Sequence, residues 1–170
     1  ERLAKPIHVE DRRLTLGASI GLARSTTQDF VPSSELLRRA DIAMYAAKRG
    51  GKMRCTWFSS ALDRSREKLQ EMDDELRRSL AEGQFRLHYQ PLVDSSTRTI
   101  NAVECLLRWE RPDGASIGPS TFIPVTEESG LINAIGLWVL RQACRDALQW
   151  GDIALSVNIS AAQLRNPEFP

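Results

Sequence analysis

Residues 85–109 read FRLHYQPLVDSSTRTINAVECLLRW, and they contain the clearest structural pattern in the chain. Apolar residues alternate with polar ones on both sides of a polar turn at 94–98, which predicts an antiparallel hairpin. In the second strand Glu104 and Arg108 share one face, because side chains alternate along a strand. Cys105 lies on the opposite, apolar face and is expected to be inert core. The hairpin therefore places a carboxylate and a guanidinium side by side.

Downstream of a Pro- and Gly-containing loop at 111–119, the pattern predicts two helices and a strand. The elements are a short helix near 120–129, a longer helix at about 132–150 and a strand at 153–160. Strand, helix and strand in this order predict a right-handed crossover and a parallel strand pair. The last strand has an apolar face of Leu155, Val157 and Ile159 and a polar face of Ser156, Asn158 and Ser160. The final ten residues predict the start of another helix.

Upstream of the hairpin, residues 14–23 read LTLGASIGLA and predict one strand. Its apolar residues follow a period of two, and small residues occupy the other side. Gly17 and Gly21 lie on that small side, so we expect another element to pack closely over them. No helix starts directly after them, which excludes a phosphate-binding glycine loop.

Two helices separate this strand from the hairpin. The first has Ser33 or Ser34 as its expected cap, ends at Gly50 and Gly51, and carries an apolar stripe of Leu37, Ala40, Met44 and Ala47. A short strand at 53–58 follows it. The second helix covers 61–82, is highly charged, and has a narrow apolar stripe typical of a connector that lies on a neighbouring domain or pairs with another copy.

The composition is that of an ordinary globular protein. The chain has 170 residues, of which 42% are hydrophobic and 26% charged, which excludes collagen-like and disordered classes and allows one or two domains. It contains no apolar run long enough to span a bilayer, and residues 1–30 have no signal-peptide pattern. Three scattered cysteines predict neither a disulfide framework nor a zinc site, and they favour a reducing cytosol.

The charge is uneven along the chain. Residues 1–58 hold 11 Lys and Arg against 6 Asp and Glu, whereas residues 59–170 hold 12 against 16. A basic segment of this size is typical of a solvated surface, and it also suits a phosphate-bearing ligand.

The polar faces of two strands suggest a chemistry. Glu104 and Asn158 offer hard oxygen ligands for Mg²⁺ or Mn²⁺, and Arg108 suits a phosphate oxygen. This combination is typical of metal-assisted phosphoester hydrolysis. The alternative is a structural Glu–Arg pair and an asparagine bonded to backbone. We interpret His88 as a satisfied side chain, and Glu127 and Glu128 as solvated charge at a helix end.

Several segments resemble known domains when they are taken in order. The segments LTLGASIGLA and ELLRRADIAMYAAKRGGK resemble the last third of a bacterial GGDEF domain. The segments FRLHYQPLVD, VECLLRW, FIPVTEESGLI, GLWVLRQAC and LSVNISAAQL resemble the first part of an EAL domain. Together they are similar to the junction of a GGDEF–EAL tandem, the domain pair that makes and degrades cyclic di-GMP.

The resemblance implies a fold class and domain boundaries. The fold is expected to be α/β, with an α+β cyclase-like part at 1–58, a connector helix at 59–82, and the first part of a TIM-like (β/α) barrel at 83–170. A barrel of this kind needs about 250 residues. The remaining ligands of the EAL family would lie beyond Pro170, and the GGDEF signature loop would lie before Glu1. The 170 residues alone are therefore expected to be inactive.

The resemblance also implies roles for individual residues. Glu104 and Asn158 correspond to catalytic metal ligands of the EAL family. The substrate contacts correspond to Gln90, Leu106 and Arg108, with Arg108 on a phosphate. The GGDEF-like part corresponds to nucleotide-phosphate contacts at Lys48 and Lys52. The naming motif reads Glu-Cys-Leu here, and its changed middle residue points away from Glu104.

The implied function of the complete protein is hydrolysis of cyclic di-GMP to linear pGpG with Mg²⁺ or Mn²⁺. Two alternatives are an inactive sensor or scaffold that binds cyclic di-GMP or GTP, and a diguanylate cyclase. No DNA or RNA partner is expected. We also expect a homodimer through the connector helix or the barrel, and an upstream sensor domain. The expected location is the cytoplasm, or the cytoplasmic side of a membrane-anchored protein.

Overall fold

The computed structural model describes residues 6–26 and 28–169. The strands are β1 (Ile7–Val9), β2 (Arg12–Leu14), β3 (Ile20–Leu22), β4 (Cys55–Trp57), β5 (Phe85–Val93), β6 (Ile100–Glu110), β7 (Ser116–Ile117) and β8 (Ala154–Val157). The helices are α1 (Ser33–Arg49), α2 (Ser60–Ala81), α3 (Pro119–Ser129) and α4 (Ile132–Ala147), and a 3-10 turn follows at Gln163–Arg165. The chain divides into two compact units, residues 1–68 and 69–170. None of the described helices combines the length and apolar character that a membrane crossing requires.

In the first unit α1 lies against a small parallel sheet. β3 and β4 pair with Gly21 opposite Thr56. A Cβ atom at Gly21 would overlap the backbone oxygen of Ala40 and the backbone nitrogen of Met44. The expected close packing over this glycine is therefore confirmed.

The single strand predicted at 14–23 is wrong, because the structure contains two separate strands there. β2 ends at Leu14 and pairs antiparallel with β1, whereas β3 begins at Ile20. The residues between them include Gly17, Ala18 and Ser19, which favour strands weakly. A Cβ atom at Gly17 would overlap the side chain of Met53, so a close neighbour covers this glycine as well.

Helix α1 begins as predicted, but its details differ. Pro32 is the N-cap residue and no side chain caps the helix, so the expected serine cap is wrong. Extended backbone at Pro32 starts the helix instead, with ψ of 151°. Leu37 is 73% exposed, whereas Ile42, Ala43 and Ala47 are buried. The three-residue strands beneath the helix span only about 10 Å, so they cannot cover its full length of about 25 Å.

Helix α2 confirms the predicted amphipathic helix. Its first turn carries Asp63, which accepts hydrogen bonds from both terminal nitrogens of Arg38 at 2.9 and 2.8 Å. In the second unit its residue Leu76 is completely buried. The helix ends before Gly83, whose φ of +66° lies in the left-handed region that glycine adopts at low cost.

The second unit is built on a four-stranded sheet with β6 at its centre. β5 pairs antiparallel with β6 along its whole length, which confirms the hairpin. β8 pairs parallel with β6, which confirms the predicted parallel pair, although β8 ends at Val157 rather than at 160. The short β7 pairs antiparallel with the end of β6, inside a segment that the sequence pattern assigned to a loop.

Helices α3 and α4 cover the apolar face of β6. Among the described residues, the core contains the fully buried aromatic side chains of Trp109, Phe85 and Phe122, beside fully buried aliphatic ones such as Leu76 and Ile135. Beyond β8 the chain forms only a 3-10 turn, so the helix predicted at the end is wrong within the described residues. Asn166 has extended backbone because it precedes Pro167, which disfavours the helical conformation there.

Candidate functional site

The structure brings Glu104 and Asn158 into direct contact. The side-chain nitrogen of Asn158 donates a hydrogen bond to Oε1 of Glu104 at 2.8 Å. The contact follows from the sheet register, because Glu104 is paired with Ser156 and Asn158 lies two residues further along. Side chains two residues apart share a face, so the polar end of β8 meets the carboxylate on β6.

Gln90 lies on the same face, on the opposite side of Glu104. In the antiparallel pair of β5 and β6, Gln90 is directly opposite Glu104. Directly opposed residues project from the same face of a sheet. Gln90 on β5, Glu104 on β6 and Asn158 just beyond the end of β8 therefore form a row of polar residues across the sheet.

Leu106 and Arg108 continue this face along β6, and both are half-buried. Nη1 of Arg108 donates a hydrogen bond to the backbone oxygen of Leu107 at 2.8 Å. Among the described residues, no carboxylate forms an ion pair with Arg108. Its positive charge is thus available to an anionic ligand.

The end of β8 borders a cavity of about 230 Å³ with mainly apolar walls. Its apolar lining includes Leu106 and Val139, and its polar lining includes Glu127, Asn158 and Ser160. The hydroxyl of Ser160 donates a hydrogen bond to Oε1 of Glu127 at 2.5 Å. Glu127 is exposed, as expected of charge at a helix end, but it also has a specific hydrogen-bond partner. Its partner lies 33 residues away along the chain, so no local sequence pattern could reveal the contact.

The donor atoms suit a hard divalent cation, but they are few. Glu104 and Asn158 contribute one carboxylate and one amide group, both oxygen donors of the kind that Mg²⁺ and Mn²⁺ prefer. Within the described part of the chain, no group of three or more His, Cys, Asp and Glu residues could hold a metal ion. The pair can supply part of a coordination sphere.

The structure also places two residues that the sequence analysis did not assign to the site, Cys105 and His88. Cys105 is 3% exposed, and burial raises the pKa of its thiol to about 11. This confirms its assignment to the inert core. The side chain of His88 is exposed, and its Nε2 lies 3.9 Å from Oε1 of Glu110.

Lys48 and Lys52 lie in the first unit, at the end of α1 and in the loop that follows it. Both are exposed. The backbone N–H of Lys52 donates to the oxygen of Ala47 at 3.0 Å, which fixes the start of the loop. Lys48 lies in the last turn of α1, where a basic side chain also compensates the negative end of the helix dipole.

Two protein families match the sequence. The EAL domain family matches residues 73–170, and the family described as diguanylate cyclase, GGDEF domain matches residues 1–54. The two matches leave residues 55–72 unassigned, a gap that contains β4 and the first part of helix α2.

Curated relatives are similar over nearly the whole chain. An uncharacterized signaling protein of Caulobacter vibrioides is 36% identical over 171 residues, covering 100% of this chain and 21% of its own length. The bifunctional diguanylate cyclase/cyclic di-GMP phosphodiesterase MucR of Pseudomonas aeruginosa is 36% identical, with coverages of 96% and 24%. The cyclic di-GMP phosphodiesterase NbdA of the same organism is 35% identical, with coverages of 86% and 18%. The chain thus spans about a fifth to a quarter of these relatives.

Solved structures show the same fold. The PaMucR phosphodiesterase in complex with c-di-GMP matches with a TM-score of 0.55 and 40% identity, covering 57% of this chain and 41% of that one. The EAL enzyme Bd1971 in its cGMP-bound form matches with a TM-score of 0.58 and 26% identity, covering 80% and 36%. Such EAL domains are TIM-barrel-like, in agreement with the expected α/β class. Because the EAL family matches more than half of its residues, this chain belongs to the EAL domain family.

Proposed function

We propose that the whole protein hydrolyses cyclic di-GMP to linear pGpG with the help of Mg²⁺ or Mn²⁺. The observation that carries this proposal is the 2.8 Å contact between Asn158 and Glu104. It unites an oxygen-donor pair on a strand face that also presents Arg108. Membership of the EAL family and the named activities of MucR and NbdA support the same reaction.

In this proposal Glu104 and Asn158 hold the cation. Glu104 offers its carboxylate oxygens, and Asn158 offers its amide oxygen. When bound, such a cation activates water and neutralises negative charge that develops on the phosphate. These two residues alone do not fill the six positions that Mg²⁺ typically requires. We therefore propose that further ligands come from other parts of the whole protein.

Arg108 and its neighbours bind and orient the dinucleotide in this proposal. The guanidinium of Arg108 forms hydrogen bonds to phosphate oxygens and fixes the scissile group relative to Glu104. Leu106 offers an apolar contact, and Gln90 offers an amide that can donate and accept hydrogen bonds. Their common face supports this division of roles.

We also propose the domain boundaries 1–58, 59–82 and 83–170 for the GGDEF-like part, the connector and the EAL part. The family matches to residues 1–54 and 73–170 support this division. In the first part, the exposed amines of Lys48 and Lys52 would bind phosphates of a nucleotide such as GTP.

The test measures metal-dependent release of pGpG by the full-length protein and its Glu104→Gln variant. We expect a loss of at least about 100-fold in kcat for Glu104→Gln, because an amide is a much weaker cation ligand than a carboxylate. Glu71→Gln is the matched control, since Glu71 is an exposed glutamate on α2. If neither the wild type nor Glu104→Gln releases pGpG from cyclic di-GMP, the proposal is refuted. Tight binding of cyclic di-GMP without hydrolysis would favour the sensor alternative.

A further inference from the structure

Asn158 lies just beyond the hydrogen-bonded end of its strand. The register between β6 and β8 ends at Val157, opposite Cys105. The ladder therefore does not fix the backbone of Asn158. Its side chain nevertheless meets Glu104 at 2.8 Å. Something beyond the strand must hold this segment in place.

Gln163 holds the segment from inside the protein. It is only 3% exposed. Its Oε1 accepts a hydrogen bond from the backbone N–H of Ser160 at 3.0 Å, and its backbone N–H donates to the oxygen of Ser160 at 3.0 Å. The amide end of Gln163 fits over Gly136 on α4, where a Cβ atom would overlap it. A buried side chain thus ties the turn after β8 to a helix.

Glu127 holds the same turn from α3. It accepts the hydrogen bond from the hydroxyl of Ser160, and that hydroxyl in turn accepts one from the N–H of Ala162 at 3.0 Å. A hydrogen bond to a charged carboxylate is stronger than one between neutral groups. Ser160 is therefore held at its backbone by Gln163, which packs against α4, and at its side chain by Glu127 of α3.

We infer that Glu127 and Gln163 are positioning residues that act through Ser160 to aim Asn158 at Glu104. This inference rests on the proposed function, because it assigns them a role in the same site. Groups that orient a metal ligand from outside typically change metal affinity or activity by ten- to a hundredfold when they are removed. Neither residue touches substrate in this account.

The best variant is Glu127→Ala, because Glu127 is exposed and its truncation leaves the core intact. In the full-length protein we expect the affinity for Mn²⁺, titrated alone by calorimetry, to fall roughly tenfold. The kcat for cyclic di-GMP should fall by a similar factor while KM changes less than twofold. Glu127→Gln keeps an oxygen that accepts the Ser160 hydrogen bond, so it should recover most of both losses.

Glu71→Ala is the matched control, since it removes an exposed glutamate that takes no part in this network. The midpoint of thermal unfolding should stay within about 2 °C for Glu127→Ala, because surface substitutions cost little stability. Gln163→Leu is the second variant. Leucine has a similar volume but lacks the oxygen that accepts the hydrogen bond from the N–H of Ser160. This variant should therefore also lower the affinity for Mn²⁺.

Three results would overturn the inference. One is a Glu127→Ala protein with wild-type Mn²⁺ affinity and kcat. Another is an equal loss in Glu127→Ala and Glu127→Gln, which would mean that the hydrogen bond is irrelevant. The third is a wild type that neither binds Mn²⁺ nor turns over cyclic di-GMP. The third result would contradict the proposed function as well. The measurement on the wild type alone distinguishes it from the first two results, in which the wild type is active.

Discussion

Trp109 shows how one polar atom is accommodated in the core of the second unit. The indole is fully buried against Phe85 and Phe122, and its Nε1 donates a hydrogen bond to the hydroxyl of Ser79 at 2.9 Å. The hydroxyl of Ser79 in turn donates a hydrogen bond to Oε1 of Gln84 at 2.7 Å. Because the indole N–H has no access to water, this serine on α2 satisfies a donor that would otherwise be buried without a partner.

Ser79→Ala should lower the free energy of unfolding by about 1–3 kcal/mol, since it leaves the Trp109 N–H unpaired. Chemical unfolding of the full-length protein, followed by tryptophan fluorescence, measures the change. Ser95→Ala, in the exposed turn of the hairpin, is the matched control. Its free energy of unfolding should stay within about 0.5 kcal/mol of the wild type. Equal stability of the two variants would contradict the role given to Ser79.

The thiols differ in their expected reactivity. Burial raises the pKa of Cys105 to about 11, whereas Cys144 is exposed on α4. The thiolate is the reactive form, so at pH 8 the Cys105 thiol is protonated as well as shielded.

We therefore expect iodoacetamide to modify Cys144 in the native protein and to leave Cys105 unmodified until denaturant is added. Peptide mass spectrometry after timed labelling at pH 8 measures both sites in one sample. Rapid native labelling of Cys105 would contradict its place in the core.

At the level of elements, the second unit was predictable because its patterns are local. Alternation along β5 and β6 revealed which residues share the face of Glu104, and the crossover rule predicted that β8 runs parallel to β6. These two facts place Asn158 and Glu104 on the same face of neighbouring strands, whereas their direct contact also depends on how the turn after β8 is held. The short β7 was missed because its two residues carry no period of their own.

What the sequence did not reveal depends on contacts between distant elements. Glu127 looked like solvated charge because its partner Ser160 is brought near only by the packing of α3 beside the end of β8. Leu37 has the spacing of a core residue, yet the strands below α1 are too short to reach it. Pro32 starts α1 through its backbone, a role that no side-chain capping pattern announces.

Helix α1 packs tightly against strand β3 at Gly21 in the first unit. A methyl group at Gly21 would collide with the backbone of Ala40, and backbone cannot turn aside as a flexible side chain can. Gly21→Ala should therefore destabilise the protein by about 1–3 kcal/mol or more, as overpacking does.

Gly118→Ala is the matched control, because a Cβ atom there meets nothing within 4 Å and its φ is −73°. The free energy of unfolding of Gly118→Ala should stay within about 0.5 kcal/mol of the wild type. The midpoint of thermal unfolding of the full-length protein compares the two. An unchanged midpoint for Gly21→Ala would mean that α1 can move away from β3 without cost.

On the scale of the whole molecule, the two family matches coincide with a division of charge. Residues 1–58 carry an excess of five positive charges, whereas the rest of the chain carries an excess of four negative ones. If the two parts have separate ligands, a change that weakens one site should leave the other unaffected. The exposed Lys48 and Lys52 allow this to be tested, because they lie in a different unit from Glu104.

The double variant Lys48→Ala/Lys52→Ala should weaken GTP binding by the full-length protein between about twofold and thirtyfold, since each exposed charge contact contributes about 0.2–1 kcal/mol. The kcat/KM for cyclic di-GMP should remain within twofold of wild type. Arg64→Ala/Lys68→Ala removes two exposed positive charges elsewhere and is the matched control. Calorimetry with a non-hydrolysable GTP analogue at two salt concentrations measures the binding.

An equal loss in both double variants would indicate that the overall positive charge of the segment, rather than a direct contact, attracts GTP. A wild type that binds no GTP would refute the phosphate role of the two lysines. A selective loss in the first variant, smaller at high salt because mobile ions screen exposed charges, would show that the basic segment contacts the phosphates directly.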